Sequence, residues 1–179
     1  MDIQALINMA LENGFSKAAY CDPAKLRFLD KVRGWCEDGR CGKYGKNWAC
    51  PPHCGTVDEW RGRCSAYNAG IIVETIGRLE DSFDFEGMAA AEQVHKENIL
   101  KTEKAYNPLL TDLLVLSAGS CTICEPCTCP DAPCRFPDKR FTSMEACGLL
   151  VSDVCKDCGI PYINGENTVT YISLFLYKR

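Results

Sequence analysis

The chain has 179 residues, 46% of them hydrophobic, with a formal net charge of −4 and a pI near 5.3. That length fits a single domain, 1–179, and the apolar content is enough for a real core, so the 14 cysteines are not needed merely to hold a tiny fold together. The acidic balance argues against nucleic acid as a partner, and no apolar run reaches the roughly 18 residues of a membrane span, so neither nucleic acid nor membrane is expected. The opening MDIQALINMALENGF is acidic and amphipathic, unlike a secretory signal, and the expected location is the cytoplasm. In that reducing compartment so many thiols read as metal-binding or catalytic rather than disulfide-bonded, and they suggest an anaerobe.

Taken in order, Ile3, Leu6, Ile7, Ala10 and Leu11 fall at helical spacing, with Gly14 as a stop. Phe15 to Tyr20 reads as a short strand, and Cys21 as an ordinary buried thiol. Asp22-Pro23 then reads as an N-cap and first turn, opening a second helix whose face carries Leu26, Leu29, Val32 and Cys36.

The next segment holds four glycines and two prolines between Gly39 and Gly55. With the preceding residue Cys36 it gives C-x4-C-x8-C-x3-C through Cys36, Cys41, Cys50 and Cys54, a first loop over 36–54. Four thiolates on glycine-rich turns can wrap a metal centre, a four-iron cluster by preference with zinc or uncommitted thiols as the alternatives, and the spacing is neither the ferredoxin run nor that of zinc ribbons. Tyr44 and Trp48 either shield that site or anchor the loop, and His53 reads as a surface or hydrogen-bonding residue.

Thr56-x-x-Glu59 is a capping box before a helix with Val57, Trp60, Cys64 and Tyr67 on its apolar stripe. Ile71 to Ile76 is a β-branched strand between Gly70 and Gly77. The acids Glu80, Asp81, Asp84 and Glu86 read as a helix start, and a long helix follows from about Phe85 to Tyr106, with His95 inside it as a structural residue. Leu113 to Leu116 is a second strand, leading straight into Gly119-Ser120-Cys121.

The second loop, 121–134, reads CTICEPCTCPDAPC, five cysteines within fourteen residues. A C-x2-C-x2-C run lets one tight turn set three thiolates on three irons of a cubane, with a fourth thiolate from further along, as in ferredoxins. Cys121, Cys124 and Cys127 open that set, with Cys134 as the fourth ligand and Cys129 as its competitor, a zinc site or a disulfide knot being the alternative. Pro126, Pro130, Pro133 and Pro137 keep the loop out of helix. Downstream, Thr142-x-x-Glu145 reads as a capping box for a helix carrying Cys147, Leu150, Val151, Val154, Cys155 and Cys158 on one face, stopped by Gly159. Thr168 to Tyr177 is a long strand inside the sheet. The expected fold is α+β: a single compact domain, a small mixed β-sheet covered by helices, with two cysteine-rich metal-binding loops.

The segment from Cys36 through CGKYGKNWACPP, then LEDSFDFEGM, the Cys121 loop with PCRFP, SMEA and NTVTY resemble, in order and spacing, a family of small proteins labelled predicted metal-binding, a domain of unknown function found mainly in anaerobic bacteria and archaea. The resemblance covers nearly the whole chain. It implies that Cys36, Cys41, Cys50 and Cys54 form one ligand set and Cys121, Cys124, Cys127 and Cys134 the other. Cys129 departs from the pattern, which has an aromatic residue there.

The function expected from these readings is an iron–sulfur protein with two 4Fe–4S clusters that transfers electrons to or from a partner redox enzyme. Lys43 and Lys46, and the group Arg135, Lys139 and Arg140, are candidate docking charges. One alternative is an enzyme or reductive activator using a cluster on a substrate or cofactor, although no phosphate fingerprint, nucleophile elbow or H-E-x-x-H motif points to a reaction or a small-molecule substrate. Another is a zinc-binding structural or interaction module.

Overall fold

The computed structural model describes residues 2–39 and 41–179. Along the described residues run α1 (Ile3–Glu12), β1 (Lys17–Cys21), α2 (Asp30–Glu37), α3 (Val57–Cys64), β2 (Ala69–Arg78), α4 (Phe85–Tyr106), β3 (Thr111–Ser117), β4 (Thr142–Ser143), α5 (Val151–Cys158) and β5 (Thr168–Lys178). The strands form one mixed sheet in the order β1-β2-β5-β3-β4, antiparallel throughout except for the parallel β3–β4 pair. The expected α+β fold with a small mixed sheet is the one observed. No helix among the described residues is long and apolar enough to cross a membrane.

Alternation along the strands divides the core into two layers, because successive side chains point to opposite faces. Ile72, Leu114, Leu116, Ile172, Leu174 and Leu176 face α3 and α5, and meet Trp60, Cys64, Val154 and Cys155 there. Ile71, Val73, Val115, Phe175 and Tyr177 face α1 and α4, and meet Leu6, Ala10, Ile99 and Tyr106. β5, paired on both edges and covered on both faces, is buried on both sides over its second half, where Leu174 and Leu176 face one layer and Phe175 and Tyr177 the other. α4 lies so close to β2 that a Cβ at Gly77 would stand 2.5 Å from the Cβ of Ala91.

Two helix starts differ from expectation. Asp22 does accept from the amide of Ala24 at 3.0 Å, but only a single 3₁₀ turn, Pro23–Lys25, follows it. Phe28 then pairs with Leu149 as an isolated antiparallel bridge, and the Leu29 amide donates to Gly148 O at 2.8 Å. This extended pairing postpones α2 to Asp30 and takes Leu26 and Leu29 off its face. The second case is Thr142, whose backbone is engaged in the parallel pairing with Leu116 and so cannot cap a helix. Ser143 caps a turn instead, accepting from the Ala146 amide at 3.2 Å. The turn closes at Gly148, whose φ of +93° favours glycine. α5 therefore begins at Val151, and Cys147 and Leu150 lie outside it, although Cys147 is still fully buried.

Candidate metal centre

Each cysteine loop is delivered by a pair of elements that fix its ends. The first runs from the end of α2 to the start of α3. The Arg33 guanidinium on α2 donates to Gly55 O at 2.7 Å and to Ala146 O. On the α3 side Thr56 and Glu59 form the expected capping box, and Trp60 Nε1 donates to Cys54 O at 2.9 Å. The second loop lies within the crossover, residues 118–141, that joins parallel neighbours β3 and β4; parallel strands cannot be joined by a tight turn. Lys96 on α4 pins its start, donating to Ser120 O at 2.6 Å while paired with Glu92 at 2.5 Å. Gly119 makes this approach possible: its φ is +64°, and a Cβ there would meet Glu92 Oε1 at 2.8 Å.

The two loops dock on one another. Asn47, buried to 6% exposure, donates from Nδ2 to Cys121 O at 2.9 Å and accepts the Ala49 amide at Oδ1 at 2.8 Å. Trp48 Nε1 donates to Ala132 O at 3.0 Å, and its ring meets His53 edge-on with centroids 5.2 Å apart. Trp48 thus anchors one loop to the other. Cys129 is buried and points its thiol at Gly45 O, 3.9 Å away.

All 14 cysteines are free thiols. Of the first set Cys50 and Cys54 are buried, Cys36 is half-buried and Cys41 exposed; Cys121, Cys124, Cys127 and Cys134 are all half-buried. Burial pushes the Cys50 thiol up to about 12, with Cys54, Cys41, Cys36 and Cys121 adding to the rise, so the first set shares one electrostatic neighbourhood that extends to the second loop. Cys36 is raised by burial and then by Cys41. Cys54 is raised by burial against the opposing charges of Arg33 and Arg140. Cys121 is raised by burial, opposed by the hydrogen bond from the Ile123 amide, with Cys124 and Cys134 as its nearest acting thiols.

Thiols raised by burial and by one another give up their protons to a metal, which replaces the missing counter-charge. The donor chemistry therefore fits a soft metal or an iron–sulfur cluster. Among the described residues no three His, Cys, Asp or Glu side chains already converge on one point as a mononuclear site would need. A cubane distributes its four thiolates over four irons, so convergence on a single point is not what it requires.

Of the expected docking charges, Lys43 and Lys46 are exposed. The trio in the second segment is divided among different tasks. Arg135 donates to Pro126 O at 3.2 Å, Lys139 lines a cleft of about 320 Å³ beside Cys121, and Arg140 is half-buried. His95 is structural, fully buried between Thr75 Oγ1 at 2.8 Å and Ser173 Oγ at 2.7 Å. The acid-rich turn before α4 is a cap, with Asp84 accepting from the Gly87 amide at 2.8 Å. Asn47, Lys96 and Arg33 are the site-building residues that cysteine spacing does not reveal. The only local hint is Asn47, an amide within a turn rich in glycine and proline.

A thiol-rich α+β domain whose two cysteine loops are clamped together is, by its donor set, of a kind suited to holding metal. Residues 19–177 match the family described as predicted metal-binding protein (DUF2284), and the chain belongs to that family. No curated protein and no solved structure matches the chain.

Proposed function

We propose that this protein binds two 4Fe–4S clusters and transfers electrons to or from a partner redox enzyme in the cytoplasm. One cluster is held by Cys36, Cys41, Cys50 and Cys54. The other is held by Cys121, Cys124, Cys127 and Cys134, with Cys129 in reserve. The observation that carries the reading is the direct docking of two four-thiol loops through Asn47–Cys121 and Trp48–Ala132. Two one-electron centres on contacting loops suit a protein that takes electrons at one surface and delivers them at another. The C-x2-C-x2-C run supports the cluster type, since its spacing serves a cubane better than a single ion. Hydrogen bonds around the sulfurs and partial exposure would then tune the potentials.

The test is the iron, sulfide and zinc content of protein purified without oxygen, together with its visible spectrum. About eight irons and about eight sulfides per chain, in brown protein, support the reading. About two zincs in colourless protein overturn it and leave a zinc-stabilised structural module.

A further inference from the structure

A cleft of about 230 Å³ is bordered by Cys54. Its walls come from α3, β3 and the return of the crossover into β4, and include Trp60, Arg63, Leu114, Arg140 and Thr142. Two guanidinium groups border it without a carboxylate partner. Among the described residues the ion pairs within 4.0 Å involve Lys17, Arg27, Arg61, Lys96 and Lys178, but neither Arg63 nor Arg140. Arg140 Nε is buried and has no hydrogen-bond acceptor. Native proteins seldom leave such a donor unsatisfied, so this one asks for a partner the described residues do not supply. Arg63 is held in place by its own stacking, with its guanidinium 4.2 Å above the Trp60 ring. That contact orients the group while leaving its N–H fork free.

We propose that this cleft binds a small oxyanion beside Cys54, with Arg63 and Arg140 as its two cationic ligands. Planar guanidinium forks match carboxylate and tetrahedral oxyanions alike, so both are within the class. Two acids at the cleft, Glu103 and Asp138, limit the occupant to a small anion, because a larger polyanion would run against them. Glu103 is engaged with the side-chain amide of Asn107 and is not aimed solely at the cleft. An anion held there lies beside Cys54, a member of the first thiol set. The anion binding does not rest on the metal reading.

The experiment titrates the full-length protein with sulfate and, separately, with malonate, by calorimetry and by thermal shift, at an ionic strength held constant with chloride. Saturable binding of either anion, weakened about tenfold or more in Arg140→Gln and in Arg63→Gln, is the expected result. Preference for sulfate identifies an inorganic oxyanion, and preference for malonate a carboxylate; both support the site. Arg63 is exposed, so Arg63→Gln folds even where Arg140→Gln does not, and it tests the cleft by itself. No saturable binding beyond chloride, or wild-type affinity in Arg63→Gln, overturns the proposal. Metal content is measured on the same samples, so loss of the metal reading and loss of the anion site are told apart.

Discussion

Trp48 Nε1 and Ala132 O share a hydrogen bond of 3.0 Å across 84 residues of chain, tying the tip of the first cysteine loop to the second. Trp48→Phe keeps an aromatic ring against His53 and removes only the donor. The expected loss is about 1 kcal/mol of unfolding free energy, the usual net value of one such bond. Limited proteolysis should cut within 121–134 faster in the variant than in the wild type. An unchanged urea midpoint and cleavage rate would mean that the Asn47 and Cys129 contacts hold the loops together without it.

The division between ligand and core cysteines is tested by metal content. Cys124→Ser should lose about half the bound metal, since one of two centres would be broken. Cys147→Ala should keep all of it, because Cys147 is packed in the core behind the site with no exposure. Cys129→Ser should also keep it, while loosening the contact with Gly45. A halved metal content in Cys147→Ala would assign that thiol to a centre and remove one of the eight.

What was legible in the sequence was local. The capping box at Thr56 and Glu59, the span Phe85–Tyr106 of α4 and the stop at Gly159 all appear where short-range signals put them. The long run from Thr168, rich in β-branched and aromatic residues, indicates a strand inside the sheet, and β5 is paired on both sides and buried from Ile172 to Tyr177. The starts of α2 and α5 were not legible, because partners far along the chain decide them: Leu149 for Phe28, and Leu116 for Thr142. The candidate site divides in the same way. Cysteine spacing is a local signal, whereas the groups that clamp the loops act at range, Asn47 on a carbonyl 74 residues away and Arg33 on one 113 away.

His95 gives the protein an acid-side weakness that can be measured. Burial, reinforced by the Lys96 charge, lowers its pKa from 6.5 to about 3. The unfolded chain therefore takes up this proton first. The stability due to neutral His95 is fully present above about pH 6.5 and is lost progressively as pH falls toward about 3, at up to about 1.4 kcal/mol per pH unit. His95→Gln keeps an amide able to bond Thr75 and Ser173 but has no proton to take up. Its urea midpoint should start lower at pH 7 and fall less between pH 6.5 and pH 4 than that of the wild type. Parallel curves would assign the acid sensitivity to other groups.

Cys158, at the end of α5, should be the most reactive of the cysteines outside the two loops. It accepts a hydrogen bond from the Cys21 thiol, which lowers its pKa against the opposing effect of burial, and the Lys25 charge acts in the same direction. The same bond, with burial, raises Cys21. Cys64 and Cys155 are buried and pushed up to about 12, so they present almost no thiolate near neutrality. Iodoacetamide at pH 8, read residue by residue by mass spectrometry, should label Cys158 well before Cys64, Cys147 or Cys155. Cys21→Ala removes the donor, so the midpoint of the labelling rate against pH should move upward, from below the ordinary thiol value of 9.0 toward it. Earlier labelling of Cys155 than of Cys158, or a midpoint unmoved in Cys21→Ala, would show that the thiol–thiol bond does not control this pair.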